Sequence, residues 1–139
     1  MIEQIKNETG TQQLLGYVLE IGHPDGGARC ILDVTKAHLN RHNALHGGIM
    51  ATVLDNAMGA TASLTVSPNG RNPFLTISMT TQFMAPAYAG QRVTAVGRVT
   101  GGGRSTLFVA AELVDAEGGL IATSTGVFKK VRMAQGGDA

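Results

Sequence analysis

At 139 residues the chain has room for one hydrophobic core and not two, because domains cluster at about 100 to 150 residues. Hydrophobic residues make up 43% and charged residues only 15%, against a typical ~25%, with a net charge of +1; this excludes disorder and a basic face for nucleic acid. Cys30 stands alone, so no internal disulfide forms, and the opening MIEQIKNETG lacks the charged-then-apolar pattern of a secretory signal, which predicts a reducing, cytoplasmic setting.

Met1 to Leu15, with Ile2 and Ile5 among polar neighbours, predicts a short amphipathic turn or helix. Gly16 to Ile21 and Gly27 to Val34 are rich in β-formers and flank Pro24-Asp25-Gly26-Gly27, whose glycines suit a hairpin turn. Lys36 to Leu45 is polar and follows neither period, so an ordered loop is expected there. Gly48 to Leu64 is small-residue-rich, almost uncharged and apolar all round, which predicts a helix buried on most sides. The weakly charged run 47–69 also carries Asp55 and threonines, so no segment is expected to cross a bilayer. After the turn Ser67-Pro68-Asn69-Gly70 come four strand-like segments: Phe74 to Met84, Gln91 to Thr100, Ser105 to Asp115 and Leu120 to Val131. Their connections are hairpin-like in length, so the simplest expectation is an antiparallel meander.

Two strands, one buried helix and four long strands make an α+β plan, a curved antiparallel sheet wrapped around one long central helix in a single domain, 1–139. Residues 1–15 form an N-terminal segment and 132–139 a flexible tail in this reading. One helix under one sheet leaves sheet edges and a helix face uncovered, and so few charged groups coat a monomer poorly. A homo-oligomer, at least a dimer with sheets joined edge to edge, is therefore expected.

His46-Gly47-Gly48 marks the entry to the helix, where the first N–H groups lack internal partners and the dipole is positive. An oxygen gaining negative charge is stabilised at such an end, and glycines leave it open to a ligand; the alternative is that they only allow close packing. Asp55 is the one ionisable residue between His46 and Arg71, in a helix otherwise built for a core. It is either functional or capped by neighbouring threonines or Asn56. Nine residues after His46, it lies about 13 Å along the axis and on the opposite side, so it cannot serve its own helix's N-terminus. A shared site requires two antiparallel copies of the helix.

Asn40-x5-His46-Gly47-Gly48-x6-Asp55-Asn56, then Thr76, then Phe83-Met84-Ala85-Pro86 before Gly90, together resembles the hot-dog-fold acyl-CoA thioesterases. The nearest branch is the phenylacetate-degradation type of the 4-hydroxybenzoyl-CoA thioesterase superfamily. The resemblance implies hydrolysis of an acyl-CoA to free acid and coenzyme A, with no separate cofactor and no metal. It implies that Gly47 polarises the thioester carbonyl beside His46, that Asn40 holds the carbonyl or the water, and that Thr76 orients water next to Asp55. Asp55, from the neighbouring subunit, acts as general base or attacks directly. It also implies coenzyme A contacts from Lys36, from Phe83 and the channel residues Ala85, Pro86, Ala87 and Tyr88, from the loop Gly103, Arg104 and Ser105, and from Lys129 and Lys130. A dimer paired again into a tetramer is the usual assembly in that family. Asn43 stands where relatives often have Gly, Thr76 where some have Ser, and Gly101 where some have Lys.

His23, His38 and His42 show no metal-ligand spacing and are expected on the surface or in loops; Cys30 is expected to be a buried, inert thiol. No Gly-x-Ser-x-Gly elbow occurs. Met50, Leu54 and Met58 are expected to line an acyl pocket suited to aryl-acetyl, hydroxylated phenylacetyl or medium-chain groups. The competing functions are a hot-dog hydratase or dehydratase and a non-catalytic acyl-CoA binding or sensing protein. Sensors of that sort carry a DNA-binding segment, for which the residues before the first strand are expected to be too few.

Overall fold

The computed structural model describes residues 1–132, so the tail expected over 132–139 lies outside the described residues from 133 onward. The elements are β1 (Glu3–Ile5), α1 (Gly10–Leu15), β2 (Val18–Ile21), β3 (Arg29–Asp33), a 3-10 turn (Lys36–His38), α2 (Gly47–Leu64), β4 (Phe74–Phe83), β5 (Arg92–Gly102), β6 (Thr106–Val114) and β7 (Leu120–Lys130). One seven-stranded sheet runs in the order β1-β2-β3-β5-β6-β7-β4, every pairing antiparallel. Helix α2 packs against β3, β4, β5, β6 and β7. This is the α+β plan expected, with several corrections.

The first concerns the meander. It holds for β5-β6-β7, but β4 pairs with β7 at the far edge and β5 pairs with β3. The stretch between β4 and β5 is a crossover held by distant partners. The Met84 and Ala85 amides donate to the Ile121 carbonyl (2.9 and 3.1 Å), Leu45 donates to Ala87 (2.8 Å) and Gly90 to Val34 (2.9 Å). A short connection permits a hairpin without requiring one, and these long-range bonds decide against it.

The second is the N-terminal segment, which holds a strand as well as a helix. Thr9 caps α1 by accepting the Gln12 N–H (3.1 Å), and Gly16 ends it at φ 84. Gln12 is buried; its amide donates to the Ile5 and Tyr17 carbonyls (2.7 and 3.1 Å) while its Oε1 accepts from Glu8 N–H (2.9 Å). Three residues of β1 carry too little pattern to be read alone and exist by pairing with β2.

The third is His38, which lies in the loop region as one of the two expectations had it but is buried there. Its Nδ1 accepts the Thr35 N–H (2.9 Å), leaving the proton on Nε2, which donates to the Leu15 carbonyl (2.8 Å). His38 thus ties the loop before α2 to the end of α1. His38→Ala removes the partners of two part-buried backbone groups and is expected to cost about 1 to 2 kcal/mol, read as a lowered Tm in thermal unfolding.

Within α2, Met50, Val53, Leu54, Ala57, Met58, Thr61 and Ala62 follow the helical period and are buried against the sheet. Ala51, Thr52, Asp55, Asn56, Gly59 and Ala60, on the other side, are only half-buried, so within one chain the helix is not enclosed on most sides. Met50, Leu54 and Met58, expected to line an acyl pocket, are packed into the core against the sheet within the single chain. The β2–β3 hairpin forms as expected: Gly26 takes φ 78, and a side chain at Gly27 would overlap the Gly97 carbonyl oxygen. Arg29 bonds Asp25 across this turn and, with the Gly27 N–H, draws its carboxyl down to about 2.

Candidate active site

The chain reaches α2 through a tight turn built on Asn40. Its Oδ1 accepts the His42 and Ala44 N–H groups (2.9 and 3.2 Å), and its backbone N–H donates to the Ala44 carbonyl (2.7 Å). Those two bonds orient the amide, so the Nδ2 end remains as a donor with no acceptor among the described residues. Asn43 has φ 62, a left-handed conformation that Asn tolerates.

His46 is the N-cap of α2. Its Nδ1 accepts the Gly48 N–H (2.8 Å), and its carbonyl accepts those of Ile49 and Met50 (2.9 and 3.0 Å). Three of the first four amides are thus satisfied by His46. The Gly47 N–H alone has no acceptor among the described residues, at the positive end of the longest helix. The Phe83 ring lies over it, 3.4 Å from where a Gly47 side chain would begin. With Nδ1 occupied, the neutral His46 ring carries its proton on Nε2 as a second donor at this end.

Asp55 sits midway along α2 and is half-exposed, so its identification rests on its partner and not on burial. The Thr76 hydroxyl donates to Asp55 Oδ1 at 2.6 Å. Thr76 adjoins an irregularity in β4: the pairing with β7 shifts between Thr76 and Ser78, leaving Ile77 as an extra residue that bends the strand. Asp55, Thr76, Asn56, Gly59, Ala60 and Ser63 are among the residues lining a cleft of about 360 Å³. Among the described residues no group of three or more His, Cys, Asp or Glu side chains is placed to hold a metal. Burial pushes the Cys30 thiol up, consistent with an inert core residue.

The sheet register divides the expected site residues into two groups. Lys36 follows the end of β3, beside the start of β5, at the same end as Gly47, Phe83 and the crossover carrying Ala85, Pro86 and Tyr88. Of these, Lys36, Pro86 and Tyr88 are exposed and Ala85 is half-buried. Thr76 pairs with Phe128, Leu75 with Lys129 and Thr106 with Lys129, and Ser105 accepts the Lys130 N–H (2.7 Å). Asp55, Thr76, Lys129, Lys130 and the exposed turn Gly103-Arg104-Ser105 therefore lie toward the other end. One chain does not bring Lys36 to Arg104, nor Gly47 to Asp55. The residues missed by sequence reasoning are the bulge at Ile77 and Tyr17, whose hydroxyl donates to Asn56 Oδ1 (3.1 Å); Phe83 was named, but not the placement of its ring over Gly47. None carries a local signal, because each depends on a partner far away in sequence.

A family model described as the thioesterase superfamily matches residues 42–122. Acyl-coenzyme A thioesterase 13 from Homo sapiens is 28% identical over 123 residues, covering 88% of this chain and 86% of that protein. Among solved structures, a mutant of phenylacetic acid degradation protein PaaI from Thermus thermophilus is 27% identical with a TM-score of 0.72, covering 88% of this chain and 100% of that one. The E. coli PaaI protein of the phenylacetic acid degradation operon shares the fold, at 23% identity and a TM-score of 0.79, covering 90% of this chain and 86% of that one.

Proposed function

The chain belongs to the thioesterase superfamily and is a thioester hydrolase with that family's hot-dog fold, and from that premise we propose an acyl-CoA thioesterase whose site is completed across a homodimer. The observation that carries this reading is the division of one chain into two incomplete halves, an open Gly47 N–H at one end and an Asp55–Thr76 pair toward the other. Two antiparallel copies supply each half with its complement. The long outer edge of β4 has no partner strand among the described residues and exposes Leu75 and Ile77, which supports joining at that edge. Pairing of two such dimers is the expected tetramer. In location the enzyme is cytoplasmic, with neither nucleic acid nor membrane as partner.

In the proposed reaction a water oxygen attacks the thioester carbon while Asp55 takes its proton, with Thr76 fixing the carboxylate. The carbonyl oxygen, now negative, is held by the partner's Gly47 N–H with Asn40 and His46 as neighbouring donors. Collapse breaks the C–S bond; the thiolate of coenzyme A leaves and recovers the proton from Asp55, and the free acid remains. Phe83, Ala85, Pro86 and Tyr88 flank the pantetheine arm, while Lys36, Gly103, Arg104, Ser105 and Lys129 are the candidates for the nucleotide end. Aryl-acetyl or medium-chain acyl groups are the proposed substrates; the name of one relative supports acyl-CoA in general and that of another phenylacetic acid degradation.

A hydrolysis panel over phenylacetyl-, hydroxyphenylacetyl- and medium-chain acyl-CoA, followed by free thiol release, tests the proposal. Thiol release with sedimentation as a dimer or tetramer is the expected result. Enoyl-CoA hydration without thiol release, or tight binding without product, would instead establish the hydratase or the sensor.

A further inference from the structure

We propose that Ser63 is a specificity-determining residue that recognises a neutral hydroxyl at the end of the acyl chain remote from the thioester. This rests on the reading of Asp55 as the catalytic carboxylate. The Ser63 side-chain oxygen is buried with no hydrogen-bond partner among the described residues, and the residue is 3% exposed. Ser63 lines the same cleft as Asp55. Eight residues further along α2, it stands about 12 Å down the axis, with Asn56, Gly59 and Ala60 between. Gly59 and Ala60 present nothing larger than a methyl group, so an acyl chain lies flat along this face.

The other side-chain polar groups in the interior of the cleft are engaged. Thr76 donates to Asp55 (2.6 Å), Asn56 bonds Tyr17 and the Thr52 carbonyl (3.1 and 2.8 Å), and Asn72 donates to the Pro73 carbonyl (3.3 Å). A serine within a helix ordinarily satisfies itself on the carbonyl one turn back, as Thr61 does on Ala57 (2.6 Å), and Ser63 does not. An unpaired buried hydroxyl costs stability, and a ligand atom repays that cost when it binds. The ligand group is neutral: of the charged residues lining the cleft, Glu8 and Arg71 are exposed and of opposite sign, and Asp55 stands about 12 Å away along α2.

The test compares decanoyl-CoA with ω-hydroxydecanoyl-CoA. Wild type is expected to favour the hydroxylated thioester by roughly tenfold in kcat/KM, expressed in KM, which is the worth of one hydrogen bond in a dry site. Ser63→Ala is expected to lose that preference and to unfold at the same or a higher temperature, since it removes an unpaired polar group. Equal kcat/KM for the two thioesters in wild type, the preference surviving in Ser63→Ala, or a lowered Tm in that variant would each overturn the assignment. Equilibrium binding of both thioesters to Asp55→Asn gives the preference without turnover. Full turnover by Asp55→Asn therefore defeats the catalytic reading of Asp55, whereas equal binding of the pair defeats the Ser63 subsite.

Discussion

Asp55→Ala is expected to lower kcat by about a hundredfold or more while leaving fold and assembly unchanged. The size follows from the role. A positioned base contributes roughly 10²- to 10⁴-fold, and among the described residues nothing else near the Thr76 hydroxyl is placed to take the proton from water. The native fold survives because Asp55 is half-exposed and its side chain makes one hydrogen bond, to Thr76. Alanine is also the better helix former at a mid-helix position. Asp55→Asn sharpens the measurement, since the amide oxygen still accepts from Thr76 but its nitrogen takes no proton. Thiol release is the readout, with sedimentation and thermal unfolding to confirm native assembly. Near wild-type turnover in a natively assembled variant would remove Asp55 from the mechanism.

Gly97→Ala is expected to be strongly destabilising, costing about 3 kcal/mol and on the order of 10 °C in Tm. A methyl group there would sit 2.8 Å from the Ala57 carbonyl oxygen and closer still to the Thr61 hydroxyl. Neither yields. The Thr61 hydroxyl donates to Ala57 (2.6 Å) and accepts the Ala28 N–H (3.0 Å), while the Gly97 N–H donates to the Ala28 carbonyl (3.0 Å). These bonds lock α2, β5 and the approach to β3 together, so the helix must lift from the sheet. Because α2 carries both Gly47 and Asp55, activity is expected to fall with stability. Gly10→Ala is the control: it has open space around it and is expected to leave Tm unchanged. Equal melting of wild type and Gly97→Ala would show that the helix does not need this close approach.

The strands β2 to β7 and the helix α2 were legible because alternation and a long small-residue run are local patterns, written within the element itself. The turn glycine Gly26 and the N-cap His46 were legible for the same reason. Residue type and spacing alone singled out Asp55 as a lone carboxylate. Its half-exposure was not legible, because which side of α2 meets the sheet depends on strands that come later in the chain. The same holds for Met50, Leu54 and Met58, whose spacing marks one face without saying whether that face meets strands or a ligand. His38 illustrates the limit most clearly. A polar loop histidine is ordinarily at the surface, and only the arrival of the Leu15 carbonyl makes burial favourable.

By itself the sequence determined that one long helix and an antiparallel sheet form a single core. It also determined that a glycine-opened helix end and a carboxylate half a helix away cannot meet within one chain, because helix rise is a constant of the backbone. Tertiary structure alone decided that β4 lies beside β7 and that a bulge follows Thr76, bringing its hydroxyl to Asp55. It also decided that Ser63 faces a cleft without a partner. Strand order, bulges and unpaired groups come from competition among distant backbone and side-chain groups for hydrogen bonds, and no window of neighbouring residues contains that competition.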